Sequence, residues 1–133
     1  NIHFLSNHLH DHREYDENGN RLYTLWDIYP HADLITYPSL YEGFGNAFLE
    51  AVYFKKPILI NRYTVYIVDI EPKGFDVVSI DGYLTHQAVE EIQTILTEKS
   101  RYREMVEHNF STAKRYFSYE HLRKRLNSIL SMI

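Results

Sequence analysis

Short apolar runs alternate along this chain with longer stretches of helical periodicity. Residues 2–5 form an apolar run with strand character. Residues 7–20 are polar and end in Asn18-Gly19-Asn20, which is loop chemistry. Leu22, Leu25, Trp26 and Tyr29 then recur at helical spacing, with Trp26 expected in the core, and Pro30 closes the segment. Residues 34–37 predict a strand stopped by Pro38-Ser39. Residues 46–54 predict a helix whose end is favoured by Lys55-Lys56 through the helix dipole. Pro57 opens a strand over residues 58–60. Residues 61–74 fit either a strand or a short helix, and residues 75–80 read as a strand.

Thr85, Ser100 and Ser118 are expected to cap three helices. The first carries Val89, Ile92, Ile95 and Leu96 on one face. The second is striped by Tyr102, Val106, Phe110, Ala113 and Phe117, the third by Leu122, Leu126, Ile129 and Leu130. Short apolar strands alternating with helices predict the α/β class: a Rossmann-like parallel sheet with helices on both faces, in one domain over residues 1–133.

Composition narrows the function. With 44% hydrophobic and 24% charged residues, the chain is ordinary for a soluble globular domain. A net charge of −4 argues against nucleic acid as a partner, and Arg123-Lys124-Arg125 reads as a solvated helix face. The chain has no Cys, hence no disulfide framework and no thiolate metal site, which fits a cytoplasmic location. No apolar run approaches the ~20 residues of a membrane span. The start at Asn1, without an initiator Met, suggests a piece of a longer protein.

The candidate chemistry lies in residues 37–51. A strand end, the turn Glu42-Gly43-Phe44-Gly45 and a helix starting at Asn46 follow one another. Ligands of open α/β sheets bind beyond the carboxyl ends of the strands, and a helix N-terminus favours phosphate. Gly43 and Gly45 allow close backbone approach. Glu42 and Glu50 are acceptors on either side of these amide donors, an arrangement that matches the hydroxyl groups and charged centre of a sugar–pyrophosphate. A glycine turn with a carboxylate stabilising a helix start explains the same residues equally well.

Glu42-Gly-Phe-Gly-Asn-Ala-Phe-Leu-Glu50, within ADLITYPSLYEGFGNAFLEA, resembles the Glu-x7-Glu motif of the retaining glycosyltransferases of family 4. Residues 56–60 resemble that family's next strand, and residues 117–120 the start of its C-terminal helix. The resemblance implies the C-terminal, nucleotide-sugar-binding domain of a GT-B fold, truncated at its N-terminal end. It implies hexose transfer from a nucleoside-diphosphate sugar to an acceptor hydroxyl, with the anomeric configuration retained and no cofactor. Glu42 is then the catalytic-site residue holding the hexose. The backbone N–H groups of Gly43 and Phe44 face the sugar, those near Asn46 and Ala47 the pyrophosphate, and Glu50 holds the ribose, with Gly45 also among the substrate-binding residues.

The implied partners are the nucleotide-sugar donor and a missing N-terminal acceptor-binding domain, without which this piece is expected to be inactive. Peripheral membrane association of the full-length enzyme is compatible with this reading. Two departures stand out. Asn61-Arg62-Tyr63-Thr64-Val65-Tyr66 replaces the family's Gly-Gly-x-Pro-Glu-type loop, and the family's upstream Arg and Lys are absent. Arg62 is a candidate partial substitute for those cations, although a surface ion pair is the stronger reading. His8, His10 and His12 lie beside Asp11 and Asp16, but a polar loop explains them better than a metal site, so no metal is expected. The rival functions are a non-catalytic nucleotide-sugar-binding module and a flavodoxin-like or receiver-like signalling domain.

Overall fold

The structure, a computed structural model, describes residues 2–5 and 9–132. It divides into two compact units, residues 1–32 and residues 33–133.

In the first unit Asp16 organises a tight turn. Its carboxylate accepts from the backbone N–H groups of Asn18 (2.9 Å) and Asn20 (2.8 Å) and from the Asn20 side chain (2.9 Å). Gly19 supplies the left-handed residue that this turn needs, with φ 80°. Leu9 bridges Tyr23 and Tyr15 bridges Arg21. Helix α1 (Leu25–Ile28) is a single turn closed by a capping box between Thr24 and Asp27. The Thr24 N–H holds the Asp27 carboxyl down at about 2, assisted by Arg13.

Three expectations fail here. Residues 2–5 form no strand. Trp26 is 51% exposed rather than in the core. Pro30 does not end the helical path, because it sits in the first turn of a 3-10 segment, Tyr29–His31, where its missing N–H costs nothing.

The second unit is an α/β fold. Strands β1 (Ile35–Tyr37), β2 (Ile58–Asn61) and β3 (Val78–Ile80) form a parallel sheet in the order β1-β2-β3. The register pairs Ile35 with Ile58 and Leu59 with Val78. Every residue of β2 is buried, so this strand is covered on both faces, as a central parallel strand should be. Helix α2 (Asn46–Tyr53) connects β1 to β2 and buries Phe48, Ala51 and Val52.

Helix α2 ends in a Schellman motif, with Lys55 N–H bonded to Val52 C=O and Lys56 N–H to Ala51 C=O, each at 3.0 Å. Lys55 occupies the left-handed position, φ 53°, where glycine is usual. Its ammonium bonds to Glu107 at 2.7 Å and lies over the Phe110 ring. Lys55 therefore ties α2 to helix α4 (Lys99–Phe117).

Residues 61–74 turn out to be helical beyond Tyr63. One turn of π-helix, Tyr66–Ile70, runs into a 3-10 turn, Glu71–Lys73. Helix α3 (His86–Thr97) is capped by Thr85, whose hydroxyl accepts from Ala88 N–H at 3.1 Å. Ala88, Ile95, Met105, Leu59 and Val78 form a core cluster between α3, α4 and the sheet. The N-cap of α4 is Glu98, not Ser100, since α3 and α4 are separated by that one extended residue. Ser118 caps helix α5 (Tyr119–Leu130), accepting from His121 N–H at 3.2 Å. The apolar stripe of α5 is not buried: Leu122, Leu126, Ile129 and Leu130 are all at least half exposed.

Candidate functional site

The site is built at the carboxyl ends of β1 and β2. After Tyr37 the chain leaves the sheet, and among the described residues no backbone–backbone hydrogen bond anchors residues 40–44. The chain re-enters regular structure at Gly45, the N-cap of α2, with φ 83° and ψ 61°. Only glycine takes this conformation without strain. Gly45 is also buried, and a Cβ there would overlap the Tyr63 hydroxyl. Gly43 differs: its backbone is not in the left-handed region, and a Cβ would meet nothing within 4 Å. Of the two glycines, only Gly45 is required by local geometry.

Gly45 offers no side chain to cap the helix. Its carbonyl accepts from Phe48 N–H at 3.0 Å, and the N–H groups of Asn46 and Ala47 find no backbone acceptor among the described residues. These are the orphan donors of a helix start, backed by the helix dipole. They suit an anion.

The two glutamates both influence one residue. Burial raises the Tyr37 phenol pKa, and the Glu42 and Glu50 carboxylates raise it further, with Glu42 near enough to accept a hydrogen bond from the hydroxyl. Tyr37, the last residue of β1, thus sits within the field of both carboxylates. Both are half-buried.

Arg62 is committed elsewhere. Its guanidinium makes a bidentate pair with Glu71, at 2.8 and 2.9 Å, and reaches Asp81 at 3.2 Å. The hydrogen bonds to Glu71, then its charge, raise the Arg62 pKa further. The ion pair joins the loop after β2 to the helical segment that follows and to the end of β3.

Two residues of the Asn61–Tyr66 loop, which the sequence marked only as a departure and not as individual site residues, shape the site. Asn61, the last residue of β2, is buried. Its side-chain amide donates to Ser39 C=O at 3.1 Å, and its carbonyl accepts from Gly82 N–H at 2.7 Å. It laces together the segments leaving all three strands. A polar residue ending an otherwise apolar strand was the available signal. Tyr63 is 2% exposed and packs between Tyr37 and Tyr66, with ring centroids 6.3 and 6.0 Å away. Burial, followed by the influence of Tyr37 and Glu42, pushes its phenol up to about 12.

His10 and His12 are exposed, and His8 lies outside the described residues. Among the described residues no three of His, Asp and Glu are grouped to hold a metal ion. No described helix is long and apolar enough to cross a membrane.

A parallel sheet with a glycine-capped helix at its strand ends is the architecture of a Rossmann-like ligand-binding domain. Residues 18–112 match the family described as "Glycosyl transferases group 1". A mannosylglucosylglycerate synthase of Thermotoga maritima is 44% identical over 119 residues, which cover 80% of this chain and 27% of that protein. A second protein of that name, from Petrotoga mobilis, is 58% identical over 59 residues, 44% of this chain and 14% of that protein. No solved structure gives a significant match. The chain belongs to the glycosyl transferases group 1 family, as a C-terminal domain of the GT-B glycosyltransferase fold. It spans about a quarter or less of the length of these curated relatives.

Proposed function

We propose that this chain is the donor-binding half of a retaining hexosyltransferase, with a nucleoside-diphosphate sugar seated on residues 42–50. The observation that carries the reading is a helix start, capped by the left-handed Gly45, whose Asn46 and Ala47 N–H groups have no backbone acceptor among the described residues, with Glu42 and Glu50 on either side of it in the chain. In this reading Glu42 accepts hydrogen bonds from the hexose and Glu50 from the ribose. The amides of Gly43 and Phe44 face the sugar, and those of Gly45, Asn46 and Ala47 face the pyrophosphate. The leaving pyrophosphate gains negative charge as the glycosidic bond breaks. Fixed N–H dipoles aimed at it stabilise that charge without reorganising. The sugar meanwhile acquires oxocarbenium character, and Glu42 holds it in place. No cofactor enters this scheme. Arg62, neutralised by Glu71 and Asp81, is better suited to bracing the loop than to neutralising phosphate.

The curated relatives are named for mannosylglucosylglycerate. A product of the same class would make the transferred hexose mannose and the acceptor a glucosylglycerate. The test uses the protein encoded by the complete gene, titrated with UDP-, GDP- and ADP-sugars and assayed with a glucosylglycerate acceptor. One nucleotide series should bind, and the product should keep the donor's anomeric configuration. Failure of all three series to bind would overturn the reading.

A further inference from the structure

Tyr63 holds a buried polar atom without a hydrogen-bond partner: among the described residues that qualify as buried, its hydroxyl alone lacks one. The side chain cannot easily turn away to find a partner. Its ring is packed between two other tyrosines, its N–H bonds to Asn61 C=O at 3.0 Å, and its C=O accepts from Ile67 N–H at 3.1 Å. A buried hydroxyl left without a partner destabilises the fold that holds it.

The position of this hydroxyl is informative. It lies against Gly45, the N-cap of α2, where any Cβ would collide with it. The Asn46 and Ala47 N–H groups begin at the same point. Glu42 and Tyr37 lie near enough to influence its charge state, yet neither takes the hydrogen bond. The phenol therefore keeps its proton across the physiological range and remains a donor. What covers it is a glycine at the end of a bend that, among the described residues, has no backbone hydrogen bond over residues 40–44. Contact between the hydroxyl and a ligand at the helix start requires this turn to shift.

We propose that the Tyr63 hydroxyl is a ligand-binding group that donates a hydrogen bond to a phosphate oxygen of the diphosphate seated at the start of α2. This rests on the donor-binding reading above and adds a residue to it. The binding would be a substitution of one donor–acceptor pair for an orphan atom. The ligand gains a hydrogen bond, and the protein loses the penalty of the unpaired hydroxyl.

The test is Tyr63→Phe in the protein encoded by the complete gene, which keeps the ring and removes only the oxygen. Without ligand, its melting temperature should equal or exceed that of the wild type. Its affinity for the nucleoside diphosphate should fall at least about tenfold, as expected for a lost hydrogen bond to a charged group. Its affinity for the corresponding nucleoside, read by the same calorimetric titration, should not change. An unchanged diphosphate affinity would overturn the proposal, as would an equal loss for diphosphate and nucleoside. A lowered melting temperature would also overturn it, by showing that the hydroxyl already serves the unliganded fold. If the wild type itself binds no nucleoside diphosphate, the donor-binding reading fails and takes this proposal with it. That outcome is distinct from a wild type that binds and a variant that binds equally well.

Discussion

Gly45 and Lys55 stand at opposite ends of α2, both with positive φ, and they differ in what the position demands. At Lys55 the left-handed backbone is offset by an ion pair and a ring contact made by its own side chain. At Gly45 no side chain fits at all. Glu42 and Glu50 were singled out as candidates in the sequence because their spacing is local to one turn and one helix. Asn61 and Tyr63 were not, because what they touch lies on segments far away in the chain: Ser39, Gly82 and Gly45. The proposed division between the carboxylates is testable in the protein encoded by the complete gene. A hydrogen bond to a charged group contributes roughly 1.5–3 kcal/mol, or about tenfold to more than a hundredfold. Glu50→Gln should weaken both the nucleotide product and the sugar donor by that factor. Glu42→Gln should leave nucleotide affinity nearly intact and lower kcat, since contacts at the reacting sugar can strengthen in the transition state. Equal loss of nucleotide affinity in both variants, with folding unchanged by circular dichroism, would refute the division.

At the scale of elements, signals carried by adjacent residues were read well. Thr85 and Ser118 cap helices as their types suggest, and α2 begins at Asn46 as read. Errors arose where the deciding contact was not local. Periodicity gave Trp26 and the α5 stripe an apolar face, but periodicity says nothing about whether a partner covers that face. The α3–α4 break eluded the cap rule because one residue, Glu98, makes it with backbone conformation alone. The segment before β3 depends on another distant contact. Asn109 of α4, 1% exposed, accepts from Asp76 N–H at 2.7 Å and donates to Asp76 C=O at 2.6 Å. Arg101 grips the Asp76 carboxylate at 2.5 and 2.8 Å. Asn109→Ala leaves two partly buried backbone groups unpaired at about 1–3 kcal/mol each. The variant should lose at least about 2 kcal/mol in urea unfolding, and a loss under about 0.5 kcal/mol would show that water replaces the amide fully.

For the whole molecule, the α/β class and the parallel sheet followed from alternation alone, since buried parallel strands are short and continuously apolar. Which strand lies in the centre did not follow, because β1, β2 and β3 read alike until β2 proves buried at every position. That central strand ends in Asn61, whose one side chain grips the exits of both neighbours. Such a clamp does more than tidy the strand ends: it makes the mouth of the sheet a lever. A ligand that pulls the β1 exit toward itself must carry Ser39 with it, strain or tighten the Asn61 amide, and be felt at Gly82, a residue outside the proposed donor site. The Gly82 amide proton should therefore exchange with solvent more slowly when nucleoside diphosphate is bound, and Asn61→Ala should abolish that slowing even where some binding survives. Unchanged Gly82 exchange at saturating nucleotide would mean that the three exits move independently, and that the site is framed by its own turn rather than by the sheet.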